Sequence, residues 1–304
     1  MPFFFSMRLS IIFPAYNEEK GIQECLQRTK KVLAALPFSS EIIVVDDGSK
    51  DKTFLFAKQE KVNVIKHTRN KGYGAALLTG FSAAKGEILC CLDADGTYPP
   101  EEIPKLYSFL VTHDVEMVSG ARLLGACKGM PTVRKFGNHI LSFIASILLG
   151  KKIYDLASGM RLIYRKTLFE EVLPLSQDLD FTVRMTLTCA AKKIKFKEIP
   201  IAYHDRKGIS KLHISTHGNM FLQSILYITR DYNPLRLFVT ISFGFIIIGI
   251  INIVQLLLRR LMGELSTSLT NGLVITVAFI LFGIQVLFFG ILADMIVTIK
   301  QKRT

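Results

Sequence analysis

Two long apolar segments near the C-terminal end constrain the fold of this 304-residue chain more than any other feature. They are Leu237–Leu258 and Leu273–Val297, and each has the length of about 20 apolar residues that crosses a bilayer. The core helix of a soluble protein rarely stays apolar around its whole circumference for that length. A mean hydropathy of +0.34 fits one water-soluble domain joined to a small membrane part. We therefore predict a transmembrane hairpin and a basic tail over residues 237–304.

Charges beside these segments predict the topology of the hairpin. The connecting loop carries Arg259, Arg260 and Glu264. The basic residues outside the loop are Arg230, Arg236, Lys300, Lys302 and Arg303. Because basic residues concentrate on the cytoplasmic side, this excess predicts a membrane protein whose large N-terminal part and tail are cytoplasmic, although the two loop arginines weaken the bias.

The remaining composition limits the compartment and the partners. Residues 2–5 (PFFF) are too short for a signal peptide, so they form either an interfacial patch or an extension ahead of Met7. The 5 cysteines show no CxxC spacing, which predicts free thiols in a reducing compartment. A net charge of +13 admits nucleic acid, anionic lipid or phosphorylated ligands. No nucleic-acid-binding signature is present, and we expect no nucleic-acid partner.

The N-terminal two thirds alternates short apolar runs with helical patterns. The predicted strands are residues 7–13, 41–45, 62–65, 88–92, 115–119 and 195–201. The predicted helices are residues 18–36, 72–84, 140–149, 179–191 and 213–232. Strands that read as continuous apolar runs between helices are typical of an α/β fold with a mostly parallel sheet covered on both faces.

Acidic residues follow the fourth predicted strand directly. In an extended backbone Asp93 and Asp95 point to the same side, and such close like charges repel unless a cation lies between them. A lone D-x-D is equally compatible with a polar turn. However, residues 14–18 and Asp46–Asp47 also follow predicted strands, and parallel sheets bind ligands beyond the carboxyl ends of their strands. The three clusters together favour a binding site.

The chemistry of the pair predicts a divalent cation and a phosphorylated ligand. Carboxylate oxygens suit Mg²⁺ or Mn²⁺, and Mg²⁺ commonly combines one or two carboxylates with substrate phosphates. A nucleoside diphosphate is the simplest such ligand. The chain has no Walker motif, and its Gly72-Tyr73-Gly74 sequence has Leu77 where a dinucleotide-binding motif has a third glycine.

Several motifs resemble those of a known family. PAYNEE, VVDDGSKDKT, TRNKGYGAALLTGF, LDADGTYPPEEI and SGMRLIYRK resemble the inverting family-two glycosyltransferases, which have the GT-A (Rossmann-like) fold. IPIAYHDRKGISKL and the C-terminal helices resemble the polyprenyl-phosphate branch, which includes dolichyl-phosphate mannose synthase. The resemblance covers residues 7–236. It implies a GT-A catalytic domain over residues 1–212 and a juxtamembrane amphipathic helix over residues 213–236.

The resemblance also implies roles for individual residues. Nucleotide-sugar binding is implied for Pro14, Tyr16, Glu18, Asp46, Asp47, Lys71, Gly72, Asp93, Ala94 and Asp95, with Asp93 and Asp95 as the ligands of Mg²⁺ or Mn²⁺. Binding of the acceptor phosphate is implied for Arg122, Arg134, Asn138, Arg206 and Lys211. A catalytic role is implied for Asp95, Asp180, Arg122 and Arg134, with Asp180 facing the acceptor. Thr97 and Asn138 depart from the mannose-synthase pattern, which leaves the donor sugar open.

The implied activity is hexosyl transfer, of mannose from GDP-mannose or glucose from UDP-glucose, onto a dolichyl or undecaprenyl monophosphate. Such a phosphate is already ionised near neutral pH, so catalysis needs positioning and charge stabilisation more than a strong base. Transfer to a diacylglycerol or ceramide hydroxyl stays an alternative and would need Asp180 as a general base. A non-catalytic membrane protein that binds nucleotide sugars stays another. Processive polysaccharide synthases carry a QxxRW motif, and this chain has no tryptophan.

Two questions stay open at this stage. The apolar side of the helix predicted over residues 213–232 either lies in the membrane interface or packs on the catalytic domain. That side comprises Met220, Phe221, Ser224, Ile225 and Ile228. The sequence also leaves open whether the chain forms a homo-oligomer.

Overall fold

A seven-stranded sheet forms the centre of the N-terminal part in the computed structural model, which describes residues 9–208, 214–262 and 267–301. The strands are β1 (Leu9–Ala15), β2 (Ser40–Asp46), β3 (Asn63–Lys66), β4 (Ile88–Cys91), β5 (Met117–Ala121), β6 (Arg161–Tyr164) and β7 (Phe196–Pro200). Their order across the sheet is β3-β2-β1-β4-β6-β5-β7. All seven residues of β1 are buried, as expected for a central strand covered on both faces.

Ten helices are present among the described residues. They are α1 (Ile22–Ala34), α2 (Thr53–Gln59), α3 (Tyr73–Ala83), α4 (Ile103–Thr112), α5 (Thr132–Leu149), the short α6 (Arg165–Thr167), α7 (Phe181–Ala191), α8 (Ile214–Tyr232), α9 (Pro234–Leu261) and α10 (Thr267–Gln301). Short 3₁₀ turns cover Pro100–Glu102 and Arg122–Leu124, and a π-helical turn covers Leu168–Val172. The helix predicted over residues 140–149 is longer than expected and begins at Thr132.

The sheet is mostly parallel, as predicted, but one antiparallel strand was missed. β1 pairs in parallel with β2 and β4, and β5 pairs in parallel with β7. β6 lies antiparallel between β4 and β5. Only four residues long, it begins with the charged Arg161, so its sequence lacks the continuous apolar run that identified the other strands.

Strand register brings the first two polar clusters together. Ala15, the last residue of β1, pairs with Asp46, the last residue of β2. The backbone N–H of Asp47 then donates to the Ala15 carbonyl at 2.8 Å. The carboxyl end of β4 reaches the same edge, because the Leu92 N–H donates to the Ile12 carbonyl of β1 at 3.0 Å. The sequences that follow β1, β2 and β4 therefore lie side by side.

The chain forms two compact units. One comprises the chain up to Ile147 with Lys151–Ile225; we call it the catalytic unit, because the sequence predicts the catalytic domain there. The other, the C-terminal unit, comprises Leu148–Gly150 with the chain from Leu226 onward. The division falls inside α8, between Ile225 and Leu226.

The C-terminal unit contains two helices that are long and apolar enough to cross a membrane. They are Pro234–Leu261 and Thr270–Lys300, both with a mean hydropathy of 2.6 and with 11% and 22% of their most apolar windows buried. Such low burial excludes the core helices of a soluble domain. Ser242 Oγ of α9 donates to the Gly283 carbonyl of α10 at 2.7 Å, the close packing that small residues allow between membrane helices. The structure thus contains the predicted apolar hairpin.

The apolar side of α8 is buried. Phe221 is 7% exposed, and Ser224 and Ile225 are fully buried, all three within the catalytic unit. Packing on the protein is therefore the alternative that the structure selects for these side chains.

Candidate active site

A cavity of about 880 Å³ opens beyond the carboxyl ends of β1, β2 and β4, inside the catalytic unit. The predicted site residues that line it are Pro14, Tyr16, Glu18, Asp47, Gly72, Asp93, Ala94, Asp95, Arg122, Arg134, Asn138 and Arg206. Asp46, Lys71 and Asp180 do not line the cavity that the described residues form. Lys211 lies outside the described residues.

A turn, rather than an extended strand, positions Asp95. β4 already ends at Cys91, and Asp95 is in a turn whose next residue, Gly96, has a φ of +81°. The expectation that strand alternation aligns Asp93 with Asp95 is therefore wrong for Asp95. Its Oδ1 accepts hydrogen bonds from the backbone N–H of Thr97 at 3.0 Å and from Thr97 Oγ1 at 2.6 Å.

The two carboxylates still act on each other electrostatically. Burial, followed by the negative charge of Asp95, raises the pKa of Asp93 to about 7. One oxygen of Asp93 accepts a hydrogen bond from the Tyr73 hydroxyl at 2.9 Å. The other lies so close to Gly159 that a Cβ there would come within 2.4 Å of it. Two hard-oxygen ligands whose charges repel in a half-closed cavity fit a divalent cation.

Arg206 lies at this acidic end of the cavity. Its Nη1 is 2.8 Å from Asp95 Oδ2, and its Nη2 donates to Glu18 Oε1. The loop after β7 holds it there, because the backbone N–H groups of His204 and Lys207 donate to the carbonyls of Thr97 and Asp95 at 2.9 and 3.0 Å. The guanidinium therefore lies beside the two carboxylates Glu18 and Asp95, where it offsets negative charge that a cation would otherwise offset.

The loops after β1 and β2 are joined by side-chain hydrogen bonds to backbone groups. The Glu18 N–H donates to Thr53 Oγ1 at 2.8 Å, and the Asn17 N–H donates to Ser49 Oγ at 2.9 Å. Asn17 Oδ1 accepts in return from the Lys50 N–H at 2.8 Å, with Asn17 in the left-handed region at φ +51°. Residues 16–21 are therefore loop, which is why α1 begins at Ile22 and not at residue 18 as predicted.

The two acidic residues after β2 have different surroundings. Asp47 lines the cavity and accepts from His67 Nδ1 at 2.6 Å and from the backbone N–H groups of Lys71 and Gly72 at 2.9 Å each. It fixes the turn that leads into α3. Asp46 is fully buried, and its Oδ2 has no hydrogen-bond partner among the described residues.

Arg122 is held by a carboxylate that the sequence analysis missed. Arg122 Nε and Nη2 donate to Asp155 Oδ2 and Oδ1 at 2.8 and 2.7 Å, and its backbone N–H donates to Oδ2 at 2.8 Å. Asn138 Nδ2 donates to Asp155 Oδ1 at 2.6 Å. Asp155 therefore orients two of the predicted phosphate-binding residues. One signal was available in the sequence, since Asp155 is the sole acidic residue between Glu116 and Glu170.

The charge state of this network follows from its contacts. Burial alone raises the pKa of Asp155, but the charge and hydrogen bonds of Arg122 and the hydrogen bond of Asn138 outweigh it, so the pKa lies below its usual value. The Arg122 guanidinium also lies 5.9 Å from the ring centroid of Tyr98 and 5.3 Å from that of Tyr203. Cation–π attraction adds to the ion pair and fixes the arginine.

Arg161 of the SGMR motif supports the loop that follows Asp155. Arg161 is 1% exposed, and its guanidinium donates to the carbonyls of Ser158, Leu156 and Thr182. These bonds hold the loop between Asp155 and Gly159. A buried cation surrounded by carbonyls is costly unless every donor has a partner, so Arg161 is best explained as the structural centre of that loop.

Asp180 connects α7 to α8. Its Oδ2 accepts from Ser224 Oγ at 2.6 Å and from Arg184 Nε at 2.5 Å. Burial alone raises the pKa of Asp180, but hydrogen bonds from Ser176, Ser224 and Arg184 bring it below its usual value. Residues Thr216–Phe221, on the same helix as Ser224, include several that line the cavity.

A mostly parallel sheet with a carboxylate pair at its carboxyl edge, facing a large cavity, agrees with the GT-A fold that the sequence predicts. The glucosyl-3-phosphoglycerate synthase of Mycobacterium tuberculosis, solved with Mn²⁺ and UDP, has the same fold, with a TM-score of 0.60 at 18% identity over 73% of this chain and 80% of that one. Residues 10–173 match the family described as glycosyl transferase family 2. The chain belongs to that family.

Two relatives illustrate the similarity along the chain. The low-salt glycan biosynthesis hexosyltransferase Agl6 of Haloferax volcanii is 32% identical over 81% of this chain, which spans 59% of the length of that relative. The dolichyl-phosphate hexose transferase of the same organism is 28% identical over 73% of this chain and 94% of its own length.

Proposed function

We propose that this chain transfers a hexose, with inversion, from a nucleoside diphosphate sugar to a polyprenyl monophosphate. The donor would be GDP-mannose or UDP-glucose, and the lipid dolichyl or undecaprenyl phosphate. One observation carries the proposal: a single cavity joins the carboxylates Asp93 and Asp95 to the cations Arg122 and Arg134. Its carboxylates suit a metal-bound diphosphate and its arginines suit a second phosphate. The name of the dolichyl-phosphate hexose transferase supports the acceptor and the sugar class, and the name of Agl6 supports hexosyl transfer.

At the donor end, Asp93 and Asp95 would hold Mg²⁺ or Mn²⁺. When bound, the cation would supply positive charge to the departing diphosphate. Glu18 and Arg206 lie beside Asp95. If the Arg206 guanidinium releases Asp95, it would be free to bind the diphosphate. Asp47 acts indirectly, since it fixes the turn at Gly72 that forms a wall of the cavity.

At the acceptor end, arginines would orient the attacking phosphate. An ionised phosphate oxygen is itself the nucleophile, so the bond to the anomeric carbon forms while the bond to the diphosphate breaks, and no strong general base is needed. Asp155 fixes Arg122 by two side-chain hydrogen bonds, which presents a cation in a preset direction. Arg134 lies in the first turn of α5 and also lines the cavity.

The surroundings of Asp180 argue against the alternative of transfer to a diacylglycerol or ceramide hydroxyl. A general base needs a pKa near the working pH and access to the reacting proton. The pKa of Asp180 is lowered, and the residue is 1% exposed and outside the cavity lining. We assign it a positioning role, in which it holds α8 through Ser224.

We further propose that the catalytic domain and the basic tail are cytoplasmic. The basic residues outside the loop between α9 and α10 favour that orientation over the opposite one. Protease digestion of sealed vesicles of known sidedness tests this proposal: cleavage of the catalytic domain from the periplasmic or lumenal side would contradict it.

The function is tested by offering the purified chain radiolabelled nucleotide sugars with polyprenyl phosphate, diacylglycerol or ceramide, and extracting the lipid. We expect label in the polyprenyl phosphate fraction alone, and its loss with EDTA or in Asp95→Ala. Label in diacylglycerol or ceramide would contradict the acceptor assignment. Binding of nucleotide sugar without transfer to any lipid would support the non-catalytic alternative, and full activity in EDTA would contradict the metal assignment.

A further inference from the structure

Glu198 of β7 binds the backbone of the loop that carries Asp155. Its Oε2 accepts a hydrogen bond from the Tyr154 N–H at 2.9 Å, and its Oε1 accepts one from the Asp155 N–H at 2.8 Å. Hydrogen bonds to an ionised carboxylate are stronger than those between neutral groups. The two oxygens of Glu198 therefore fix two consecutive peptide groups, which determines the direction of this loop as well as its position.

Helix α5 binds the peptide groups on either side of this pair. The Ile153 N–H donates to Ser146 Oγ at 2.9 Å, and the Leu156 N–H donates to Ser142 Oγ at 3.1 Å. All four N–H groups of residues 153–156 are thus bound by side chains of α5 and β7, although these residues belong to no helix or strand. We refer to residues 153–156 as the Asp155 segment.

The Asp155 segment connects Glu198 to the cavity. The Asp155 carboxylate accepts two hydrogen bonds from the Arg122 guanidinium and one from Asn138 Nδ2, and both of these partners line the cavity. Glu198 is not among the described residues that line it. Any effect of Glu198 on a ligand therefore passes through Asp155 and its two partners.

The charge of Glu198 is costly, so general stability is a poor explanation for this residue. Burial raises the pKa of Glu198 above its usual value, although the two N–H groups favour the charged form. A neutral side chain at this position of β7 would avoid the cost of taking a carboxylate out of water. It would not supply a pair of acceptors for the Tyr154 and Asp155 N–H groups. The contacts favour a residue whose task is to orient the Asp155 segment.

We propose that Glu198 is a positioning residue for the acceptor phosphate. It fixes the Asp155 segment, the Asp155 carboxylate fixes the Arg122 guanidinium, and the guanidinium binds the phosphate. The inference rests on the proposed function, in which Arg122 meets a polyprenyl phosphate. Because hydrogen bonds weaken steeply as their angles bend, a displaced Asp155 turns the guanidinium away from the direction in which it meets the phosphate.

Kinetics with a matched control separate an effect on the acceptor from an effect on the donor. Glu198→Gln keeps the size of the side chain but replaces one of the two acceptor oxygens by an amide group that donates. Glu41→Gln is the control, because Glu41 of β2 also binds a loop N–H, that of Lys85 at 2.6 Å, at the amino edge of the sheet away from the cavity. KM is measured for polyprenyl phosphate and for the nucleotide sugar, each at saturation of the other substrate.

We expect Glu198→Gln to raise KM for polyprenyl phosphate about tenfold and to change KM for the nucleotide sugar less than about twofold. The expected size follows from the loss of up to about a hundredfold that a misplaced binding group causes. Glu41→Gln should leave both values unchanged. A parallel rise of the two KM values in Glu198→Gln would overturn the proposal, as would an equal effect of Glu41→Gln, because a merely structural role predicts both.

Nuclear magnetic resonance of the chain labelled with ¹⁵N-arginine gives a second readout that needs no turnover. The Nε–H signal of Arg122, assigned by its loss in Arg122→Lys, should exchange slowly with water because Asp155 accepts that hydrogen bond. We expect exchange about tenfold faster in Glu198→Gln and unchanged in Glu41→Gln. Unchanged exchange in Glu198→Gln would overturn the proposal even if transfer is normal. Faster exchange in a chain that transfers no sugar to polyprenyl phosphate would contradict the proposed function and leave the positioning of Arg122 by Glu198 standing.

Discussion

Several charged side chains of the cavity are paired with each other in this structure. Asp155 binds Arg122, and Glu18 and Asp95 share Arg206. The first pair is buried and fixed, with the Asp155 carboxylate fully buried. The second involves a side chain that is 25% exposed and contacts both carboxylates from a loop. These differences predict different consequences of substitution.

Asp155→Asn should strongly destabilise the catalytic unit. The variant leaves the Arg122 guanidinium buried beside a neutral amide, and breaking one side of a buried ion pair costs about 3–5 kcal/mol of unfolding free energy. Thermal or denaturant unfolding of the purified chain measures the loss. Asp114→Asn is the matched control, because it breaks the exposed Asp114–Lys195 pair and should leave the unfolding free energy unchanged within error. Equal effects of the two substitutions would contradict a structural role for Asp155.

The same pair predicts a pH dependence. The pKa of Asp155 is lowered in the folded chain, so its ionisation stabilises the fold above its unfolded value of about 3.9 and this contribution is lost as the pH falls through the folded pKa. The difference in unfolding free energy between wild type and Asp155→Asn should therefore be constant near neutrality and shrink only in acid. A difference that already shrinks between pH 8 and pH 6 would assign the effect to another group.

Arg206→Gln should strengthen binding of the metal alone and weaken binding of the diphosphate. The arginine competes with a cation for Asp95, and a partly exposed ion pair is worth up to about 1 kcal/mol, or about fivefold in affinity. Electron paramagnetic resonance of Mn²⁺ with and without nucleoside diphosphate measures both affinities. Arg28→Gln, which breaks an exposed pair with Glu101, is the control and should leave both unchanged. Weaker Mn²⁺ binding by Arg206→Gln in the absence of nucleotide would exclude this competition.

At the scale of elements, the structure differs from the sequence predictions where short or local interactions override the apolar pattern. Both ends of the strands β1, β2 and β4 were predicted to within two residues, because their apolar runs are buried on both faces. β6 was missed since Arg161 interrupts its pattern. The side-chain alternation expected for Asp93 and Asp95 fails at Asp95, because Gly96 adopts a left-handed backbone that an isolated glycine in a sequence does not specify.

Amphipathic helices show a second limit. Apolar spacing indicated that α8 has one apolar side, but spacing does not say whether protein or lipid covers it. Buried Ser224 and its hydrogen bond to Asp180 show that protein covers this side of α8. The bond joins residues 44 positions apart, and such a tertiary contact cannot be read from a single sequence.

Ser224→Ala should impair use of the lipid acceptor more than use of the donor. It removes a hydrogen bond of 2.6 Å to the Asp180 carboxylate, and losing a bond to a charged group costs about 1.5–3 kcal/mol. Because the first turns of α8 line the cavity, we expect a higher KM for polyprenyl phosphate with a nearly unchanged KM for the nucleotide sugar. Thr112→Ala, which removes an exposed hydroxyl bonded to its own helix, is the control. Equal rises in both KM values would contradict a specific role of this hydrogen bond in binding the lipid acceptor.

At the scale of the whole molecule, a GT-A unit and a pair of apolar helices belong to one chain. The sequence predicted both, because the strand pattern and the two apolar segments are long-range features that do not depend on a single contact. It did not predict Asp155, whose partners are separated from it by 17 and 33 residues and meet only in the folded chain. We propose that both parts serve one acceptor, a lipid that carries its own phosphate.

The most direct measurement of that claim compares polyprenyl phosphate with the free polyprenol of the same length as acceptors for the full-length chain. We predict transfer to the phosphate and none to the alcohol. Arg134→Ala should lower kcat/KM for the phosphate about tenfold to a hundredfold, since a charge-assisted pair is worth about 1.5–3 kcal/mol, and Arg134→Lys should restore only part of it. Glycosylation of the free alcohol at the same rate as the phosphate would contradict the account.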